Sequence, residues 1–265
     1  MGAKERIVFN SQKSSVILDY TSKPFFEIIR INCSIADKNW APRLFDAQLL
    51  VKITGSNEND KLKSSIEDII SIGAQISPYH KQPVFDINRL FSFSNKPSES
   101  NDRSYSNWTL ELTLLNLNFE NNDNLTIEYM DTNYIQRRVE DWDKRIKDLF
   151  QTIKSWLDNE RRFSLKVSKE QKMLEELMIT FGVSEKKIET ADICYDNKII
   201  LSIKPYGLWI IGGNGRIDLL SSKGNNILVD TAEIFCKPEW KLFFVNQTNK
   251  ALPFNSETLF RLINP

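Results

Sequence analysis

The chain has 265 residues, 35 of them basic and 35 acidic, with 41% hydrophobic and 26% charged residues, the proportions of an ordinary globular protein. Even charge balance argues against a polyanion as the obligatory partner. No window approaches the roughly 18 to 20 apolar residues of a helical membrane span, and the first residues hold no secretion-signal core, so the chain reads as cytoplasmic, with no membrane partner.

Such a length supports two small domains that bury their cores without metal or disulfide staples. The three cysteines, Cys33, Cys194 and Cys236, are odd in number and widely spaced, which leaves no disulfide framework and no paired zinc-ligand motif. Each is expected to be a small buried apolar side chain.

Residues 1–131 are dominated by runs rich in β-branched and aromatic residues, among them "RIVF", "SSVILDY", "FFEIIRINCSI", "AQLLVKIT" and "LTIEYM". They predict a β-rich domain. In "WTLELTLLNLNF", Trp108, Leu110, Leu112 and Leu114 share one phase of the alternation, and Leu115, Leu117 and Phe119 take the other, which suggests a β-bulge near Leu114. One helix is expected to interrupt the strands at "LKSSIEDIISIG", where Leu62, Ile66, Ile69 and Ile70 fall on one helical face before Gly73. Residues 94–107 read as a polar loop.

From Asn133 to Leu157 the period changes. Ile135, Val139, Trp142, Ile146, Leu149, Ile153 and Trp156 form a heptad stripe, which predicts a long amphipathic helix with Trp142 and Ile146 buried and Asp143 and Lys147 exposed. Tryptophans at two stripe positions favour packing within the chain over an intermolecular coiled coil. A second helix is expected over "SKEQKMLEELMITFG", with Ser168 and Gln171 as a capping box, Leu174, Leu177, Met178 and Phe181 as the apolar face, and Gly182 as the stop. Residues 132–182 thus read as a helical hairpin.

Residues 183–265 return to strand-like runs, "ADICYD", "KIILSIKP", "GLWIIGG", "GRIDLLSS", "NILVDTA" and "WKLFFV", at the spacing of an antiparallel β-meander. A short helix, "SETLFRLI", capped at Ser256, closes the chain. The fold class is α+β: a β-rich N-terminal domain, a mid-chain helical hairpin and a C-terminal meander.

Four of the nine glycines lie in "GLWIIGGNGRIDLL". Gly207 and Gly212 have Walker spacing, but Gly213 and Asn214 stand where Lys and Ser or Thr must follow, and strand periodicity after Gly215 does not suit a dinucleotide fingerprint. Asn214-Gly215 instead reads as a two-residue type I′ turn pairing Gly213 with Arg216. That register sets Ile210 against Leu219 and Gly212 against Ile217 on one face, with Trp209 against Leu220 and Ile211 against Asp218 on the other. The second face mixes Trp209 with Arg216 and Asp218, with Tyr206 nearby, and forms a candidate partner-binding surface, since Trp, Tyr and Arg are enriched at binding hot spots.

Catalytic chemistry is sparse. The one histidine, His80, sits between Pro78 and Pro83 with no nucleophile motif to partner it. Asp230, Glu239 and Lys241 offer the carboxylates and lysine of a magnesium-dependent nuclease. The Glu-x-Lys or Asp-x-Lys pattern, however, also occurs at Glu170, Glu185 and Asp196, as charge density alone would produce. Nothing in the sequence calls for a cofactor.

The sequence therefore points to a non-catalytic adaptor or accessory subunit that binds another protein, with a metal-dependent nuclease or nucleic-acid-processing accessory protein as the alternative. Composition rich in Asn, Lys and Ile suits an AT-rich bacterial or phage-like source, a setting in which accessory proteins of antiviral defence and toxin systems are common.

Overall fold

The computed structural model describes residues 5–21, 25–35, 43–57, 60–72, 84–91, 107–120, 122–158, 160–244 and 251–264. It is sheet-rich, with three sheets and few helices, a mostly-β arrangement compatible with the α+β class. The chain divides into two compact units, residues 4–134 and residues 135–265. No helix among the described residues is long and apolar enough to cross a membrane. His80, Gly73 and residues 94–106 lie outside the described residues.

The first unit holds β1 (Glu5–Phe9), β2 (Ser15–Tyr20), β3 (Phe26–Ser34), β4 (Gln48–Asn57), β5 (Asp60–Ser71), β6 (Val84–Phe91), β7 (Asn107–Leu115) and β8 (Asn124–Asp131). They pair antiparallel in two four-stranded sheets, ordered β1-β8-β3-β6 and β2-β7-β4-β5. This is the strand order of an eight-stranded jelly roll. Strict alternation drives the packing: Trp108, Leu110, Leu112 and Leu114 of β7 and Leu125, Ile127 and Tyr129 of β8 are all buried, and both sheets contribute to one apolar cluster.

Two expectations for this unit are corrected. The phase change after Leu114 is no bulge: β7 ends at Leu115, and Asn116 turns the chain with a φ of 57°. The helix expected at "LKSSIEDIISIG" is β5. Adjacent Ile69 and Ile70 are 50% and 2% exposed, opposite Leu50 and Leu49 of β4, so they point to opposite faces as only a strand allows. Ile66 and Ile70 suit a period of two as well as a helical face, and the neighbouring strand decided between them.

A buried cap ends this unit. Tyr20 donates its hydroxyl to Asp131 Oδ2 at 2.6 Å, and Asp131 Oδ1 accepts from the backbone N–H of Tyr134 at 2.6 Å, capping the helix that follows. Thr132 and Phe25 exchange two further hydrogen bonds.

That helix, α1 (Thr132–Leu157), gives its body to the second unit. Ile135, Val139, Trp142, Ile146, Leu149 and Ile153 are all buried, as the heptad stripe predicts, and Trp156 is half-buried. They pack within the chain: Trp142 meets Trp240 at a centroid distance of 5.9 Å, and Trp156 meets Phe254 at 5.5 Å. The expected exposure of Asp143 and Lys147 is met by neither in full. Asp143 is 8% exposed, bound by Lys147 at 2.7 Å and Lys186 at 3.4 Å, and Lys147 is half-buried.

The remaining strands are β9 (Phe163–Met173), β10 (Lys186–Tyr195), β11 (Lys198–Gly207), β12 (Arg216–Ser221), β13 (Gly224–Asp230), β14 (Trp240–Phe244) and β15 (Ala251–Pro253). They form one seven-stranded antiparallel meander in sequence order. The second helix of the expected hairpin does not exist as such. Residues 168–173 belong to β9, paired with β10, and helix remains only in the five-residue α2 (Glu176–Thr180). Met178 and Phe181 are buried and Gly182, with a φ of 67°, stops the helix as expected, but Leu174 is exposed. The C-terminal helix α3 (Ser256–Ile263) is present, capped by Asn255 one residue earlier than expected, in a capping box with Thr258.

The β11–β12 hairpin is also corrected. Leu219 pairs with Ile203, Asp218 with Lys204 and Arg216 with Gly207, so residues 208–215 are a loop whose own tight turn lies between bridged Ile210 and Gly213. Asn214 and Gly215 are not the turn. The two-residue type I′ turn of the meander falls instead at Asp196 and Asn197, both at positive φ (46° and 67°), between paired Tyr195 and Lys198.

Candidate functional site

Directly opposed residues in an antiparallel pair share a face, so Leu228, Asp230, Trp240 and Leu242 lie on the face that receives α1, and Val229 and Lys241 on the other. Asp230 is fully buried there. Its Oδ2 accepts from Arg145 Nη1 at 2.5 Å, and its Oδ1 accepts the backbone N–H groups of Ala232 (3.0 Å) and Glu239 (2.9 Å).

Arg145, only 2% exposed, also donates from Nε to Asp141 at 2.6 Å and from Nη2 to the carbonyls of Cys236 (2.7 Å) and Glu233 (3.5 Å). Burial works to lower its pKa, but the hydrogen bonds to Asp141 and Asp230 outweigh that and hold it above the ordinary arginine value. The cation is therefore permanent. Its role is to tie α1 to the loop of residues 231–239.

A second clamp joins that loop to residues 208–215. Arg138, 2% exposed, donates to Asn214 Oδ1 at 3.0 Å, and Asn214 donates from Nδ2 to the Ala232 carbonyl at 2.9 Å. The backbone N–H of Asn214 reaches the Asp230 carbonyl at 2.7 Å. At the other end of the loop, Glu175 accepts from the N–H groups of Leu208 (2.7 Å) and Trp209 (3.2 Å). A long glycine-containing loop is thus fixed at both ends.

The expected partner-binding residues divide. Tyr206, 65% exposed, is covered on one face by the Arg216 guanidinium at 4.4 Å, and Arg216 is held by Asp218 at 2.7 Å. These three come together on the sheet face opposite α1. Trp209 is half-buried in the loop beside them rather than on the strand, because the register differs from the expected one. Ile211, at the loop tip, is fully exposed.

The alternative nuclease residues do not converge. Asp230 is saturated and faces α1, whereas Glu239 and Lys241, with side chains 64% and 36% exposed, pair with each other at 3.3 Å. Among the described residues no group of three His, Cys, Asp or Glu could hold a metal ion. Sequence reasoning missed Arg138, Arg145 and Glu175. A signal existed for two of them: Arg138 and Arg145 stand one heptad apart, flanking the apolar stripe.

The chain matches no protein-family model, and comparison with curated proteins and with solved structures found no similar chain.

Proposed function

We propose that the chain is a non-catalytic protein-binding module, an adaptor or accessory subunit of a cytoplasmic assembly, which binds its partner through the surface around Tyr206. One observation carries the reading: Tyr206 is an exposed aromatic ring with an arginine stacked on it and a carboxylate fixing that arginine. Tyrosine and arginine dominate binding energy at interfaces, and an arrangement set before binding loses little entropy when a partner arrives. The clamped loop beside it adds the exposed side chain of Ile211. The fixed loop supports the same reading, since binding residues sit on loops held by a rigid scaffold.

The test is affinity capture from the native source with tagged wild type, Tyr206→Ala, Arg216→Ala and Glu239→Ala. The expected result is a partner retained by wild type and Glu239→Ala, and weakened by about 2 kcal/mol or more in Tyr206→Ala. Magnesium- or manganese-dependent cleavage of DNA or RNA that Glu239→Ala abolishes would overturn the reading in favour of a nuclease.

A further inference from the structure

The chain holds one Asn-Gly dipeptide, Asn214-Gly215, and each half of it has a packing reason. The Trp142 ring fills the space that a side chain on residue 215 would need. Residue 214 accepts from Arg138 and donates to the Ala232 carbonyl at once, which an amide can do and a carboxylate cannot. Yet Asn-Gly is also the dipeptide most prone to deamidation in water, because glycine has no side chain to hinder attack by its backbone nitrogen.

In the closed loop that attack is blocked. Asn214 is 4% exposed, and both polar atoms of its side chain are engaged, Oδ1 with Arg138 at 3.0 Å and Nδ2 with Ala232 at 2.9 Å. The backbone is pinned as well: the Asn214 N–H donates to the Asp230 carbonyl at 2.7 Å, and the Gly215 carbonyl accepts from the Asp230 N–H at 3.1 Å. Closing a succinimide ring from Cγ of Asn214 to N of Gly215 requires the side chain and the intervening peptide to rotate, and all of these bonds oppose it.

We propose that Asn214 is a modification site gated by this clamp: it deamidates only when the loop of residues 208–215 opens locally, and the product keeps the loop from closing again. In the open loop the backbone nitrogen of Gly215 bonds to Cγ of Asn214 and gives up its proton, the Cγ–Nδ2 bond breaks, and ammonia leaves. Water then adds to either carbonyl of the succinimide and opens it to aspartate or isoaspartate, with no change of oxidation state. Aspartate has no donor for the Ala232 carbonyl and sets an anionic oxygen against it. Isoaspartate lengthens the main chain between residues 214 and 215 by a methylene group, which moves Gly215 away from Trp142 and from the Asp230 N–H. The device limits the lifetime of the loop that carries Trp209 and Ile211, whatever binds there.

The test follows residue 214 by mass spectrometry of its proteolytic peptide at mildly alkaline pH, beside hydrogen exchange of the Asn214 N–H. Native protein should convert at least tenfold more slowly than protein unfolded in guanidinium chloride, and below the unfolding transition conversion and exchange should rise in parallel with denaturant. Equal rates in native and unfolded protein, or conversion that does not follow exchange, overturn the gate. Protein converted while unfolded and returned to native buffer should then lose at least tenfold of the exchange protection at the N–H groups of residue 214 and Asp230, against unconverted protein taken through the same cycle, while β10 keeps its own. Protection equal to that of unconverted protein overturns the claim that the product holds the loop open. Loss that extends equally through β10 makes the lesion a global one and overturns the local device.

Discussion

The indole of Trp142 occupies the space that any side chain on Gly215 would need: a Cβ built there collides with three atoms of the ring. Gly215 also has a φ of 124°, a conformation L side chains rarely adopt. Gly215→Ala should therefore destabilise by about 2 to 4 kcal/mol, overpacking and backbone strain acting together. Trp142→Ala should cost about 3 to 5 kcal/mol on its own as a core truncation. In urea denaturation the double variant should lose clearly less than the two single losses combined, because removing the ring frees the space that the added methyl group requires. Strict additivity would mean that the two residues do not share this contact.

The Tyr20 hydroxyl is pushed far above its ordinary value by burial first and by the neighbouring Asp131 carboxylate second. Its hydrogen bond supports the cap of α1, so Tyr20→Phe should cost about 1 to 3 kcal/mol near neutral pH by leaving Asp131 short of a donor. Because the folded-state pKa is raised, this contribution is fully present below the ordinary tyrosine value of 10.0 and is lost as pH rises above it. Stability curves for wild type and Tyr20→Phe should run parallel up to about pH 10 and converge beyond it. Curves that converge on the acidic side would show that Asp131, not the phenol, sets the dependence.

The three thiols are free and differ in access. Cys33 and Cys194 are buried and Cys236 is exposed, so Cys236 departs from the expectation that all three are core groups. Burial pushes the Cys33 thiol up to about 12, which leaves almost no thiolate to react at neutral pH. A disulfide-exchange reagent should modify one thiol per native chain within minutes, and the other two only on unfolding. Cys236→Ser should abolish the fast phase; a fast phase that survives would place Cys33 or Cys194 in a segment that opens.

The periodicities that could be read without the structure were those in which one residue pattern admits one conformation. The heptad stripe of α1 exceeds the length of any strand, and the alternation of β7 and β8 has no helical counterpart. Where both periods fit, as at Ile66 and Ile70 or over residues 168–173, pairing with a neighbouring strand chose the sheet, and local sequence does not encode that neighbour. Register failed for a related reason. Asn-Gly is the stronger local turn signal, but Gly215 was reserved for the approach of Trp142 and Asn214 for Arg138, contacts spanning more than seventy residues. Tyr206, Arg216 and Asp218 lie close together in sequence, whereas the Arg138–Asn214 and Arg145–Asp230 pairs of the buried clamp are separated by 76 and 85 residues, beyond the reach of any local pattern.

That clamp separates structural from catalytic roles for Asp230. Asp230→Ala removes the partner of a buried arginine and two backbone donors at once, and should cost about 3 to 5 kcal/mol, as breaking a buried ion pair does. Asp230→Asn keeps the shape and one acceptor and should cost less. Arg145→Met should also destabilise strongly, because Asp230 is then left charged and buried without its cation. The pair Arg145→Met with Asp230→Leu, which replaces both charges by apolar groups, should recover much of the loss seen in either single variant. A metal-binding carboxylate behaves otherwise: its removal lowers a rate and leaves the melting temperature near that of wild type or higher, because repulsion among the site's acids is relieved. Thermal melts of the four variants, each with and without magnesium, decide the matter. Stabilisation of Asp230→Asn, or a magnesium-dependent rise in the wild-type melting temperature that this variant lacks, would remove Asp230 from the clamp and restore it to a metal site.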